Sequence, residues 1–255
     1  MYYTGNELYR YLIEQHLTDR FFWVSEDMWA LLYSDAAGQP LLLCFVSRVE
    51  YENELDEPAA SEEIWAFRRF ALLADQADLP LISLRFAAEP GRACRSFRFK
   101  QYHADRQACR ISPGRLLEIF REFGLSLQGE NADKPVNDQA SSSFHLWQRA
   151  HMGKQVIAVD LDLVRFCGDR VDTLYELKRS RVPLQEWKPF ENDRANYMAG
   201  AQLARRLGAE YRAVYNVRHT QPEFWDDISR LKVYDMGRGW PGEYLGQFNV
   251  EDYFN

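Results

Sequence analysis

Residues 156–180, VIAVDLDLVRFCGDRVDTLYELKRS, hold five carboxylates, and three of them, Asp160, Asp162 and Glu176, can converge on one face with the amine of Lys178. If 156–166 is a strand, side-chain alternation puts Ile157, Val159, Leu161 and Leu163 on one face and Asp160 and Asp162 on the other. The turn at Gly168-Asp169 returns the chain through VDTLYELKRS, where Glu176 and Lys178 share a face and Tyr175 and Leu177 take the opposite one. An antiparallel pair centred near residue 168 sets Asp160 opposite Glu176, with Asp162 one diagonal step away. Carboxylates brought together repel, and a divalent cation relieves the repulsion. Mg2+ (or Mn2+) takes oxygen ligands, commonly one or two carboxylates completed by water. Asp160, Asp162, Glu176 and the Leu177 carbonyl are the candidate ligands. A metal held there lowers the pKa of its bound water and stabilises charge on a phosphate. Lys178 beside it would orient the attacking hydroxide or neutralise the phosphorane.

The elements that must position these groups follow from apolar periodicity. The sequence predicts a strand over VIAVDLDLVRF, a turn at CGDR, a return strand over VDTLYELKRS, a helix from Ala195 to Leu207 and a strand at YRAVYNV. A similar order is expected earlier in the chain. Apolar residues from Trp23 to Leu32 lead to a turn at Asp35–Gly38, then a strand at LLLCFV, a helix from Ile64 to Ala77 and a strand at LPLISLRF. The segment 128–143, QGENADKPVNDQASSS, has almost nothing to pack in a core and reads as a linker or long surface loop. It divides the chain into 1–130 and 131–255, and sparse matches support a repeat. Gly38 meets Gly168, Phe45 meets Tyr175 and Arg48 meets Lys178, while RFKQY (98–102) meets RLKVY (230–234). The alternatives are a tandem of two α/β units or one continuous domain whose core straddles both halves.

Asp162 (or Asp160), a turn, and then Glu176-Leu177-Lys178 resemble the signature of the PD-(D/E)xK nuclease superfamily, the restriction-endonuclease-like fold. The resemblance covers roughly residues 143–218. It implies an α+β domain with a mixed sheet flanked by helices and an α-β-β-β-α-β core, led here by a helix over 143–151. That helix carries no Glu, and Gln148 is its nearest substitute; the Pro of the signature is also missing. The family implies Mg2+-dependent hydrolysis of nucleic acid, expected to be DNA. Asp160, Asp162, Glu176 and Lys178 would be catalytic, and Arg179, Ser180, Arg181 and Lys188 would contact phosphates. Trp187 is a further candidate for substrate contact. In the first half, Val46-Ser47-Arg48 stands where Glu-x-Lys would be, and Ala30 and Leu32 stand where the acidic residues would be. A degenerate or accessory first unit is therefore expected, serving packing, pseudo-dimerisation or substrate binding. A homodimer is the other way to supply two centres.

Composition agrees with a folded chain: 255 residues, 46% apolar and 27% charged. No apolar run reaches the length of a membrane span, and MYYTGNELYRYLIEQHL has no secretory pattern, so a cytoplasmic location and no membrane partner are expected. Net charge is −7, less basic than a general polyanion binder, so any nucleic-acid surface must be local. Nine basic residues against five acidic ones in 176–218 supply one candidate. Cys44, Cys94, Cys109 and Cys167 form no C-x-x-C pair and are expected to be buried thiols. The histidines form no zinc pattern.

Three other readings fit parts of the motif. V-I-A-V-D-L-D resembles the first motif of haloacid-dehalogenase-type phosphatases, with Asp160 as nucleophile, but Leu163-Val164 continues the strand where Gly-Thr is expected. A metal-binding D-x-D of nucleotide-sugar transferases leaves E-L-K without a role. A non-catalytic binding protein would pair Asp160, Asp162 or Glu176 with Arg165, Arg170, Arg179 or Arg181. The aromatic C-terminal stretch is expected to cap the core with Trp240, Tyr244, Phe248 and Tyr253.

Overall fold

The computed structural model of the chain describes residues 6–24, 27–88, 94–104, 107–127 and 143–254. All but Ser143 of the polar joint lies outside the described residues. The first elements are helix α1 (Glu7–Glu14) and strand β1 (Phe21–Phe22). Then come β2 (Met28–Ser34), β3 (Pro40–Val49), α2 (Ser61–Ala77), β4 (Leu81–Ala87), β5 (Phe97–Gln101), β6 (Cys109–Ile111), α3 (Pro113–Glu122), α4 (Ser143–Met152) and β7 (Ile157–Asp160). The last run is β8 (Leu163–Cys167), β9 (Arg170–Ser180), α5 (Arg194–Leu207), β10 (Glu210–His219), β11 (Trp225–Asp235), β12 (Glu243–Asn249) and α6 (Val250–Phe254).

The chain divides into two compact units, and the division does not follow the 130/131 boundary. A composite unit joins Met1–Phe22 to Asp162–Asn255, and a continuous unit spans Trp23–Leu161. Two features of the continuous unit explain the difference. Strand β7 pairs antiparallel with β2. Helix α4 sends Phe144, Trp147 and Met152 into a core shared with Phe86, Phe97 and Phe120. The helix expected to lead the nuclease-like unit therefore serves the continuous unit, and the composite unit is led by α1.

Each unit is a mixed sheet flanked by helices, and the two sheets repeat one pairing scheme. The composite sheet runs β1-β8-β9-β10-β11-β12 and the other runs β7-β2-β3-β4-β5-β6. In both, the third and fourth strands are parallel and every other pair is antiparallel. A parallel pair needs a long crossover, and α2 and α5 supply it. The similar order expected from the sequence is thus present in the pairing, with one exchange. The strand that starts each sheet comes from the other half of the sequence.

Helix α5 lies on its sheet through small residues, with Ala199, Gly200, Ala201 and Ala204 buried. A Cβ at Gly200 would fall 2.5 Å from Tyr211 Cζ and hydroxyl oxygen. Tyr211 is itself buried, so its ring has nowhere to go. Alanine would gain about 1 kcal/mol in helix propensity, but overpacking of this kind costs roughly 1–3 kcal/mol. Gly200→Ala is expected to lower the urea unfolding midpoint; an unchanged or raised midpoint would refute this close packing.

Three smaller expectations are corrected. Cys44 and Cys94 are buried, but Cys109 and Cys167 are exposed, because each ends up at a strand terminus. Trp187 is fully buried and stacks on Tyr215 with ring centroids 4.4 Å apart, so it builds the core rather than meeting substrate. In the C-terminal stretch Val250 and Phe254 are buried, whereas Tyr244 is half exposed on the edge strand β12.

Candidate active site

The expected single strand 156–166 is broken at Leu161-Asp162. Asp160 ends β7 and pairs with Leu31 in the continuous unit, so it does not face Glu176 across a hairpin. Its carboxylate is 4.0 Å from His145 Nε2. The β8–β9 hairpin has Leu163 opposite Tyr175 and a register shift between Arg165 and Phe166. That irregularity moves the register by one position, and the turn centred between Gly168 and Asp169 moves it by another, from the symmetric expectation. Extended by one residue, it sets Asp162 opposite Glu176. Asp160 ends β7 and Asp162 lies just before β8, outside both strands, so the two do not form one continuous D-x-D strand end.

Asp162 is tied to the second motif strand. Its Oδ2 accepts the backbone N–H of Leu177 at 2.7 Å. The Tyr9 hydroxyl on α1 donates to the Asp162 carbonyl at 2.8 Å, anchoring the residue from its backbone side. In an extended strand the N–H and C=O of one residue point to the same side. The Leu177 carbonyl is therefore directed toward the edge where Asp162 lies.

Glu176 and Lys178 share the face covered by α5, as alternation requires. Lys178 Nζ is 2.8 Å from Glu176 Oε1 and 3.1 Å from Asp193 Oδ2. Asp193 precedes α5 in the N-cap position but makes no capping hydrogen bond there, and its carboxylate is turned to the lysine instead. Tyr197, one turn into α5, offers its ring 5.7 Å from the ammonium. Burial pushes the Lys178 pKa down, but Glu176, Tyr197 and Asp193 outweigh it and hold it well above the usual lysine value. Lys178 is thus a fixed ammonium, a donor and counter-charge rather than a base.

Two buried tyrosines close the cluster. The Tyr211 hydroxyl makes a long contact of 3.4 Å with Glu176 Oε2. Its pKa is raised by burial first, and then by Glu176 and Asp162 among others. The Tyr197 pKa is likewise raised by burial, opposed by Lys178 and reinforced by Glu176, Asp193 and Asp162. The Tyr197 hydroxyl is buried with no hydrogen-bond partner among the described residues. A buried hydroxyl in that state calls for an oxygen from water or ligand. Asp193, Tyr197, Tyr211 and Tyr9 are absent from the sequence-predicted set. Only Asp193 carried a local signal, as an acidic residue just before a predicted helix.

The phosphate-contact candidates divide. Arg179 Nη1 is 2.9 Å from Asp226 Oδ2, and Arg218 holds the other oxygen of the same buried carboxylate at 2.8 Å. Ser180 Oγ lies 3.0 Å from the Tyr215 hydroxyl. Arg181 and Lys188 are exposed. Arg165, a possible partner for the acidic cluster, pairs with Asp172 instead.

The donor set at the site is hard oxygen: two carboxylates, a backbone carbonyl and the partnerless hydroxyl. Among the described residues no three His, Cys, Asp or Glu side chains are grouped as a metal site. Within the composite unit, the residues that could hold a metal are Asp162, Glu176 and the Leu177 carbonyl. This fits Mg2+ or Mn2+, which keep several waters and use few protein carboxylates.

In the continuous unit the equivalent positions are found by register and helix face. Phe45 packs on Phe67 and Phe70 of α2, as Glu176 faces α5, and Phe45 pairs with Ser83 where Glu176 pairs with Ala213. Ser47 Oγ donates to Glu63 of α2 at 2.8 Å, the place taken by Lys178 and Asp193 in the composite unit. Ala30 is opposite Phe45. The counterparts of Asp162, Glu176 and Lys178 are thus Ala30, Phe45 and Ser47. The sequence offset points to Ala30 and Leu32 for the acidic residues and to Val46 and Arg48 for Glu176 and Lys178; the pairing keeps Ala30 and moves the other two positions by one.

No helix among the described residues is long and apolar enough to cross a membrane. No family model and no curated protein matches the sequence. Among solved structures, the chain is similar to a sex pheromone precursor from Lactobacillus salivarius subsp. salivarius UCC118, at 10% identity and a TM-score of 0.17. The match covers 82% of this chain and 61% of that one, and so low a score does not establish a shared fold.

Proposed function

We propose that the composite unit is a metal-dependent nuclease of the PD-(D/E)xK type, hydrolysing phosphodiester bonds of nucleic acid, with DNA as the favoured substrate. One observation carries the reading. Asp162 holds the Leu177 N–H at 2.7 Å while Glu176 and Lys178 flank that same residue on β9. The order of elements supports it. Helix α1, antiparallel strands β1, β8 and β9, helix α5 and the parallel strand β10 follow the α-β-β-β-α-β order that the motif implies, with residues 23–161 inserted after the first strand.

A bound Mg2+ would supply a water of lowered pKa and charge stabilisation on the phosphate. Asp162, Glu176 and the Leu177 carbonyl would hold it. The Lys178 ammonium, fixed by Glu176 and Asp193, would donate to the attacking water or to a phosphate oxygen as negative charge grows there. Tyr197 would hold a water or a phosphate oxygen through its hydroxyl. Arg181 and Lys188 remain suited to backbone phosphates, giving salt-dependent affinity; Arg179 contributes mainly by organising β10 through Asp226.

The test is cleavage of labelled single- and double-stranded DNA and RNA in Mg2+ or Mn2+ by the wild type and by Glu176→Gln. Metal-dependent cutting lost in the variant is the expected result. In parallel, saturating Mn2+ is expected to raise the Tm of the wild type through linkage and to leave that of Asp162→Asn/Glu176→Gln unmoved. No cutting of any substrate, together with no metal-induced rise in Tm, would replace this proposal with a non-catalytic binding role.

A further inference from the structure

The continuous unit holds a cavity of about 590 Å³ on the same sheet face, under α2, that the candidate active site occupies in the composite unit. With Ala30, Phe45 and Ser47 in place of the acidic residues and lysine, its chemistry is different. Four cations line it, Arg68 from α2, Arg85 from β4, and Arg98 and Lys100 from β5, against the single carboxylate of Glu63. Its apolar wall is Phe45 and Phe67, while the Phe99 ring packs in the core on the other face of the sheet.

These charges are placed with care. Arg85 and Arg98 are directly opposite one another across β4 and β5, an arrangement that repels unless acceptors are shared. Arg85 is buried and donates to the Glu57 carbonyl at 2.6 Å and to Glu63 at 2.7 Å; Arg98 donates to the Leu55 and Glu57 carbonyls at 3.1 Å. Backbone carbonyls orient these guanidinium groups but bring only partial charge. Lys100 is opposite Ser83, and neither Lys100 nor Arg68 has an ionic or hydrogen-bonded partner among the described residues. The pocket therefore has positive charge left unbalanced, beside the partly buried ring of Phe67. A cavity of this size suits a small ligand that buries an apolar body and is oriented by a few polar groups.

We propose that this cavity binds a nucleotide, a planar ring against Phe67 with its phosphate held by Arg68 and Lys100. Base stacking on aromatic side chains and phosphate pairing with cations are the two interactions the lining supplies. The same chemistry is offered by a free nucleotide or by the phosphorylated end of a strand. The inference stands on this pocket alone and does not depend on cleavage by the composite unit.

Calorimetric titration of the whole protein with AMP, adenosine and a 5′-phosphorylated hexanucleotide tests it. AMP is expected to bind at least about tenfold more tightly than adenosine, the factor a charge-assisted phosphate contact provides. Arg68→Ala/Lys100→Ala is expected to remove that preference, and Arg68→Glu/Lys100→Glu to abolish binding; both pairs are at the pocket rim and are checked for an unchanged Tm. Glu176→Gln is expected to bind as the wild type does, which separates this pocket from the active site. A hexanucleotide bound more tightly than AMP, and lost in the same variants, identifies a strand end as the source. Equal binding of adenosine and AMP, unaltered binding by the double-alanine variant, or no binding of either phosphorylated probe overturns the proposal.

Discussion

Glu176→Gln and Lys178→Ala are each expected to reduce metal-dependent cleavage by on the order of 10³-fold, the scale set by loss of one preorganised charge-stabilising group. The two act differently. Glu176→Gln keeps the shape of the side chain but removes the negative charge that a metal and the Lys178 ammonium both require. Lys178→Ala removes the ammonium and leaves Glu176 and Asp193, which shared it at 2.8 and 3.1 Å, without that counter-charge. Raised metal concentration should therefore recover part of the activity of Lys178→Ala, because metal affinity rises with the uncompensated negative charge. It should recover little in Glu176→Gln. Activity measured across a Mn2+ series checks both, with far-UV circular dichroism to verify folding. Full activity in Glu176→Gln would remove Glu176 from the mechanism.

Asp226→Ala is expected to lower stability by about 3 kcal/mol, at the lower end of the cost of breaking a buried ion pair. The Asp226 carboxylate is almost entirely buried and receives Arg179 at 2.9 Å and Arg218 at 2.8 Å, so both guanidinium groups lose a shared partner at once. Both arginines retain some contact with solvent, which keeps the cost from the upper end. The interaction ties Arg179 on β9 to Arg218 on β10, two strands that flank the candidate site. Equilibrium urea unfolding of the variant reads the loss directly. A change under about 0.5 kcal/mol, the ordinary range for a surface substitution, would mean that this carboxylate does not hold the strands together. If Arg179 served mainly to bind phosphate, Asp226→Ala would leave stability unaltered and tighten nucleic-acid binding.

Much of the site was legible in the residues themselves. Alternation placed Glu176 and Lys178 on one face of β9, and that follows from backbone geometry alone. The helices observed at Ser61–Ala77 and Arg194–Leu207 start within three residues of the periodic segments and end with them, because apolar spacing and the small buried residues of α5 are local properties. The return of the chain through Gly168 is also local, since its φ of 62° suits glycine.

Other features needed the folded chain. Asp160 and Asp162 are two residues apart and read as neighbours on one strand, yet Asp160 ends β7 and Asp162 lies between β7 and β8, outside both. Nothing in the alternation of VIAVDLDLVRF marks where a strand leaves one sheet for another. Partner choice depends on which distant strand edge offers backbone groups, here Leu31 for Asp160 and Leu177 for Asp162. The register shift at Arg165–Phe166 moves the β8–β9 pairing by one position, and such an irregularity has no clear composition signal. Tyr9 reaches Asp162 across 153 positions of sequence, and Tyr211 reaches Glu176 across 35. By itself the sequence determined the elements and the candidate residue types, because these follow from local periodicity and side-chain chemistry. The tertiary structure alone decided which elements belong to which unit and which acid joins the lysine, because those depend on long-range pairing of backbone groups.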